Sequence, residues 1–180
     1  MPERCLEAKA RQSELKIREN SEDKPHAAEN FEITEGGNKM LIKQMSVFVE
    51  NTTGRLADLT KILADNNIDI KASTIADTVD FGILRCIVAD PEAATEILKK
   101  AGFTASITEV VAVSLEDKPG GLHKVLKILS DAQIGVDYIY STIKPQADEA
   151  VIMIKVEDPQ KAVEVLSANS IKLFSMDELK

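Results

Sequence analysis

The chain is poor in the residues that metal, redox and nucleic-acid chemistry require. It holds two cysteines, two histidines and no tryptophan in 180 residues, and aromatic side chains make up 4%. Cys5 and Cys86 stand alone in unlike surroundings. Neither a Cys-x-x-Cys motif nor a disulfide framework arises from them, and a reducing cytoplasm is the expected compartment. His26 and His123 cannot complete a zinc cluster with those cysteines, so no metal and no cofactor is expected. The rings of a base-stacking platform are missing. Positive charge is in deficit as well: 22 Lys and Arg against 30 Asp and Glu leave a net charge of −8. That balance argues against a nucleic-acid backbone or an anionic membrane surface as main partner. No apolar run nears the ~20 residues of a membrane span, and the start, Met1-Pro2-Glu3-Arg4-Cys5-Leu6, lacks the apolar core of a signal peptide. Glycine loops of the kind that cradle nucleotide phosphates are absent too.

What is present is a soluble globular composition, 44% hydrophobic and 29% charged, unevenly spread. Residues 1–39 carry seven Lys or Arg and nine Asp or Glu around scattered apolar positions with no period. Such a stretch cannot bury enough apolar surface to hold itself folded. It reads as a disordered tail, as an extension upstream of a start at Met40, or as a docking segment. Gly36-Gly37-Asn38 breaks it, and dense apolar patterning begins at Met40-Leu41-Ile42.

From there the chain repeats itself. Displacing residues 45–75 by 66 positions pairs Val47 with Val113, Glu50 with Glu116, Gly54 with Gly120, Leu56 with Leu122 and Leu63 with Leu129. A displacement of 68 then pairs Val88 with Val156, Asp90-Pro91 with Asp158-Pro159 and Leu98 with Leu166. One unit of about 70 residues is used twice. Each unit alternates as a strand (Met45, Val47, Val49), turns helical (Leu56, Leu59, Ile62, Leu63), gives two further strands and a second helix, and ends in a short strand. Asp-Pro opens each second helix, Asp as N-cap and Pro at the first helical position. The expected fold is α+β: two tandem ferredoxin-like βαββαβ units, antiparallel sheets with helices on one face, over residues 40–108 and 109–180.

The fold by itself decides no function. The informative stretch is the first strand-to-helix junction, Glu50-Asn51-Thr52-Thr53-Gly54-Arg55-Leu56, and its copy, Glu116-Asp117-Lys118-Pro119-Gly120-Gly121-Leu122. A glycine turn feeding a helix N-terminus leaves backbone N–H groups and the positive end of the helix dipole facing one spot, which suits a carboxylate. The same loop would need its glycine for the turn alone, and Asn51 and Asp117 would equally serve as helix caps. Cys86 shares strand parity with Leu84 and Val88 and reads as a core residue; His123, just inside a helix start, reads as a surface one.

The form D/N-x-P-G-x-L in a βαββαβ unit of this length resembles the ACT domain. Asp117-Lys118-Pro119-Gly120-Gly121-Leu122 matches it in full, and Asn51-Thr52-Thr53-Gly54-Arg55-Leu56 matches with Thr53 in place of proline. The run Ile75 to Arg85 is similar to that of stand-alone bacterial tandem ACT proteins. The resemblance implies a non-enzymatic regulator that binds a free amino acid where ACT units meet. Asn51 and Asp117 would hold its polar head, and the N–H groups around Gly54-Arg55-Leu56 and Gly120-Gly121-Leu122 would receive its carboxylate. Tyr138 and Tyr140, where the first copy has Ala72 and Thr74, would either face a ligand at the first loop, suiting an aromatic or imidazole side chain, or simply fill core space. Asp77 and Phe81 would join them from the turn into the third strand. The first loop is the favoured live site.

Open sheet edges and an uncovered face imply a homodimer, and the regulated partner is a separate protein. Two other readings stay open: an interaction subunit that keeps the fold without the ligand, and a small enzyme, for which no clustered acid–base pair is visible.

Overall fold

The structure, a computed structural model, describes residues 37–77, 80–142 and 149–179, without the side chains of 37, 38 and 77. The expectations for residues 1–36 lie outside these. A short 3₁₀ turn (Gly37–Met40) leads into β1 (Leu41–Glu50), α1 (Arg55–Asp65), β2 (Ile70–Asp77), β3 (Phe81–Val88) and α2 (Pro91–Lys100). There follow β4 (Thr104–Glu116), α3 (Gly121–Asp131), β5 (Val136–Thr142), β6 (Glu149–Val156), α4 (Pro159–Ala168), β7 (Leu173–Phe174) and a closing 3₁₀ turn (Met176–Leu179). The order is the βαββαβ unit twice over. Among the described residues no helix is long and apolar enough to cross a membrane.

Local chemistry sets the helix limits. Asp90 accepts a hydrogen bond from the Ala93 N–H at 2.9 Å, and Asp158 from the Lys161 N–H at 3.0 Å, each with proline next in the chain, as the Asp-Pro pairs predict. All four helices end on a left-handed residue, Asn67, Gly102, Gln133 or Ser170. The next N–H then reaches back into the last turn, Ile68 to the Leu63 carbonyl at 2.9 Å and Ile171 to that of Leu166 at 3.0 Å.

The strands form one antiparallel sheet in the order β2-β3-β1-β4-β6-β5, with β7 paired to β4 beside β1. β4 is the common member. Its first half pairs with β1 (Ala105 opposite Val47), and its second half with β6 (Val113 opposite Ile152) and β7 (Ala112 opposite Phe174). The last strand of one unit and the first strand of the next are thus a single 13-residue strand running through position 108. No glycine or proline falls between Phe103 and Lys118 to break it.

Three cores follow. Val47, Leu59, Leu63, Leu84, Cys86 and Leu98 pack between the first unit's sheet and its helices; Val113, Val125, Leu129, Ile154 and Leu166 do the same in the second. The third core corrects the expectation of an uncovered face. Ile42, Ala72, Ile87, Val110, Ala112, Tyr140, Val151, Met153 and Phe174 come from the sides of the sheet away from the helices. The sheet curls until those sides meet, and its terminal strands approach closely enough for the Thr142 hydroxyl to donate to the Lys71 carbonyl at 3.3 Å. Curling of this kind is the accumulated twist of a long antiparallel sheet. It buries apolar surface that a flat sheet would leave wet.

One polar group sits inside that third core. Gln44 is fully buried and fully used. Its amide nitrogen has two hydrogens to share among Tyr138 Oη (2.8 Å), Ser46 Oγ (3.1 Å) and Thr108 Oγ1 (3.1 Å), and its Oε1 accepts from Tyr140 Oη (2.9 Å). A satisfied buried network of this sort fixes one relative placement of the two units.

Candidate functional site

The two strand-to-helix loops share one backbone. In the first, the Thr52 N–H reaches the Glu50 carbonyl (2.8 Å) and the Arg55 N–H that of Thr52 (3.2 Å). In the second, Lys118 reaches Glu116 (2.8 Å) and Gly121 reaches Lys118 (3.0 Å). Gly54 and Gly120 hold φ of 92° and 93°, a left-handed conformation that a Cβ makes costly. They are also the N-cap residues, and neither helix receives a side-chain cap bond. The capping role open to Asn51 and Asp117 is therefore not taken up. The first N–H of each helix, on Arg55 or Gly121, is taken by the loop bonds, and those of Leu56 and Ala57 in α1 and of Leu122 and His123 in α3 are left beyond the helix ladder, with the helix dipole behind them.

The side chains then make the loops unlike. Arg55 opens α1, lying 4.0 Å over the Phe103 ring and ion-paired with Glu50. Its counterpart is Gly121, and the counterpart of Phe103 is Ile171. The space Arg55 fills in the first unit stays open in the second, where a cavity of about 510 Å³ is lined by Glu116, Lys118, Pro119, Gly120, Gly121 and Lys124, and behind them by Ser114, Leu115, Val125, Glu149, Ser170, Ile171 and Lys172. Gly121 is obligatory there for another reason: a Cβ on it would stand 2.2 Å from the Glu116 carbonyl oxygen.

Charge is arranged around this cavity in pairs. Lys118 forms an ion pair with Glu116; its ammonium hydrogen-bonds that carboxylate and lowers its pKa. Lys172 lies 3.4 Å from Glu149, whose Oε2 also accepts from Ser114 Oγ at 3.1 Å. Lys124 adds one further cation to the lining and helps to lower the Glu116 pKa. A zwitterion fits such a lining: a carboxylate at the α3 N-terminus and Lys124, an ammonium at Glu149, and carbon against Pro119 and Ile171.

Chemistry that makes or breaks bonds finds little here. Burial pushes the Cys86 thiol up to about 12 from 9.0, so it is no nucleophile at neutral pH. His123 is exposed on α3. Among the described residues no three His, Cys, Asp or Glu side chains gather as metal ligands.

Of the residues singled out in the sequence, Lys118, Pro119, Gly120 and Gly121 line the cavity. Asp117 and Leu122 belong to the same loop without lining it. Asn51, Thr52, Thr53 and Gly54 are exposed around the first loop, with Leu56 42% exposed. Phe81 stacks with Phe48, ring centres 5.6 Å apart, and Asp77 ends β2, its side chain outside the described residues. Tyr138 and Tyr140 are brought to Gln44 rather than to the first loop. Gln44 lies six residues before Glu50, which along a strand is about 20 Å. Burial raises the Tyr140 hydroxyl above its ordinary pKa. The residues that escaped the sequence reading are Ser114, Lys124, Glu149, Ser170, Ile171 and Lys172. The signal for two of them was there: Ser114 and Glu149 replace Phe48 and Phe81 of the first copy.

Comparison with known proteins agrees with this architecture. No curated protein matches the chain. Among solved structures, protein BT0572 from Bacteroides thetaiotaomicron is 40% identical over 79% of this chain and 97% of its own, with a TM-score of 0.74. The ligand-free regulatory subunit of aspartate kinase from Thermus thermophilus is 14% identical over 70% of this chain and 91% of its own, TM-score 0.53, a likeness of fold. The ACT domain pair profile matches residues 40–180. The chain belongs to the ACT domain pair family.

Proposed function

We propose that the chain is a non-enzymatic regulatory protein that binds a free amino acid at its second loop. The observation that carries this reading is the cavity over the uncapped start of α3, opened by Gly121 where Arg55 closes its counterpart. The bet on the first loop passes to the second for that reason. Ligand binding would stabilise one arrangement of loop, β7 and α3, and a separate protein would read it. A homodimer remains part of the proposal through those parts of β2 and β5 beyond the place where Thr142 meets Lys71, since the face expected to drive it is covered within the chain.

Thermal-shift measurement against the twenty amino acids tests the reading. At a hundredfold excess over Kd, one of them should raise Tm by several degrees, equivalent to about 2.7 kcal/mol. Lys124→Ala should weaken that hit about tenfold, and Asn51→Ala should leave it unchanged. The reverse pattern would move the site to the first loop, and a screen without any hit would overturn the reading.

A further inference from the structure

Across the inner face of the first unit, one row of paired residues runs Thr74, Arg85, Ser46, Ser106. The equivalent row of the second unit runs Tyr140, Met153, Ala112, Phe174. All four of the latter are buried in the third core. The backbone therefore accepts an apolar row at this place and does not require a charge. In the first unit Thr74, Arg85 and Ser46 are half-buried at the mouth of the seam between the units, and Ser106 is exposed.

Arg85 lies flat on Tyr138, its guanidinium carbon 3.9 Å from the ring centre. Among the described residues it has neither a carboxylate partner nor a hydrogen-bond acceptor. Tyr138 Oη already accepts from Gln44, which leaves its own proton to donate. Arg85 and the Tyr138 hydroxyl thus bring two donors to the seam, and a half-buried guanidinium without an anion is incomplete. The next row along the same face is Ala76, Ile83 and Phe48. Phe48 is 46% exposed, and rows on one face stand about 7 Å apart.

We propose that this seam is a second ligand site, distinct from the loop, for a small carboxylate with an apolar body. The carboxylate binds Arg85 and the Tyr138 hydroxyl, and the apolar part lies on Ile83 and Phe48. Arg85 is suited to the task because its planar fork matches a carboxylate while the tyrosine ring holds it in place.

The probe is 3-phenylpropionate, which has the anion and the ring but no ammonium for the loop site to recognise. Tyr138 and Tyr140 are the two tyrosines of a chain without tryptophan, so intrinsic fluorescence reports on the seam. The full chain should show a saturable change in tyrosine emission. Arg85→Met, which copies Met153 of the second unit and so suits the backbone, should weaken binding at least tenfold with its melting transition retained. Tyr138→Phe, which keeps the stack and loses the proton, should weaken it about threefold. Lys124→Ala, which weakens the loop site, should leave the tyrosine response to 3-phenylpropionate as it is, so the seam and the loop stand or fall separately. Binding by Arg85→Met equal to that of the parent chain, no saturable response, or a response to inorganic phosphate and not to 3-phenylpropionate would each overturn the proposal.

Discussion

The first loop and the second follow the same path through space and are filled in opposite ways. Both turn on a left-handed glycine, both reach back to a glutamate carbonyl, and both enter a helix without a side-chain cap. In the first, Arg55 lies over Phe103. In the second, glycine and isoleucine stand at those places and a cavity opens. Likewise Phe48 and Phe81 stack in one unit where Ser114 and Glu149 hydrogen-bond in the other. Backbone conformation was held fixed through the duplication because the turn demands it. Side chains around the turn parted, in the core as at Phe103 and Ile171 and on the surface, at the positions that decide what each loop can hold.

The sharpest way to break this comparison is Gly121→Ala. The added Cβ meets the Glu116 carbonyl oxygen, a backbone atom that cannot step aside, and should cost about 3 kcal/mol in urea unfolding. Arg55→Ala at the matching position should cost about 1 kcal/mol, the worth of an exposed ion pair and a cation–π contact. Equal losses would mean that the two helix starts are not built differently after all.

Next in size are Gly54→Ala and Gly120→Ala. Nothing lies within 4 Å of a Cβ at either place, so only left-handed strain is added, about 1–2 kcal/mol. The two values should agree within about 0.5 kcal/mol; a wider gap would show that the shared backbone path is an approximation.

The smallest effect at neutral pH concerns Cys86, which faces the first core where Ile154 faces the second. Burial raises the thiol from 9.0 to about 12. The folded state therefore keeps the neutral thiol, and the stability tied to it is complete below pH 9.0 and lost as pH climbs toward about 12. Cys86→Val should flatten part of the alkaline fall in Tm, leaving the part due to Tyr140, whose hydroxyl is raised by burial too. Superimposable alkaline profiles for the two proteins would remove Cys86 from the account.

Periodicity and turn chemistry made the two βαββαβ units legible, down to the Asp-Pro caps, because those signals are local. The core place of Cys86 followed from strand parity in the same way. The curl of the sheet is not local. It depends on which apolar faces find each other, and the alternation of Ile42, Val110 and Met153 says only that a second face is apolar, not that its cover comes from the same chain. For want of that knowledge Tyr138 and Tyr140 read equally as a wall of the first loop and as core filling, and Gln44, unremarkable in sequence, turned out to be their partner. At the site, the loop residues were legible from the glycine motif. Lys124, Ser170 and Lys172 were not, since they converge from a helix face and from the turn before β7.

One consequence follows from β4. Duplicated modules are ordinarily beads, separable by a cut in the string between them. Here the string is itself a strand of both sheets, with β1 on its first half and β6 and β7 on its second. A cut near position 108 leaves each unit only part of this strand and takes from β1 its partners Glu109, Val110 and Val111. With the third core drawn from both units as well, the copies share backbone pairing and burial that separation would undo.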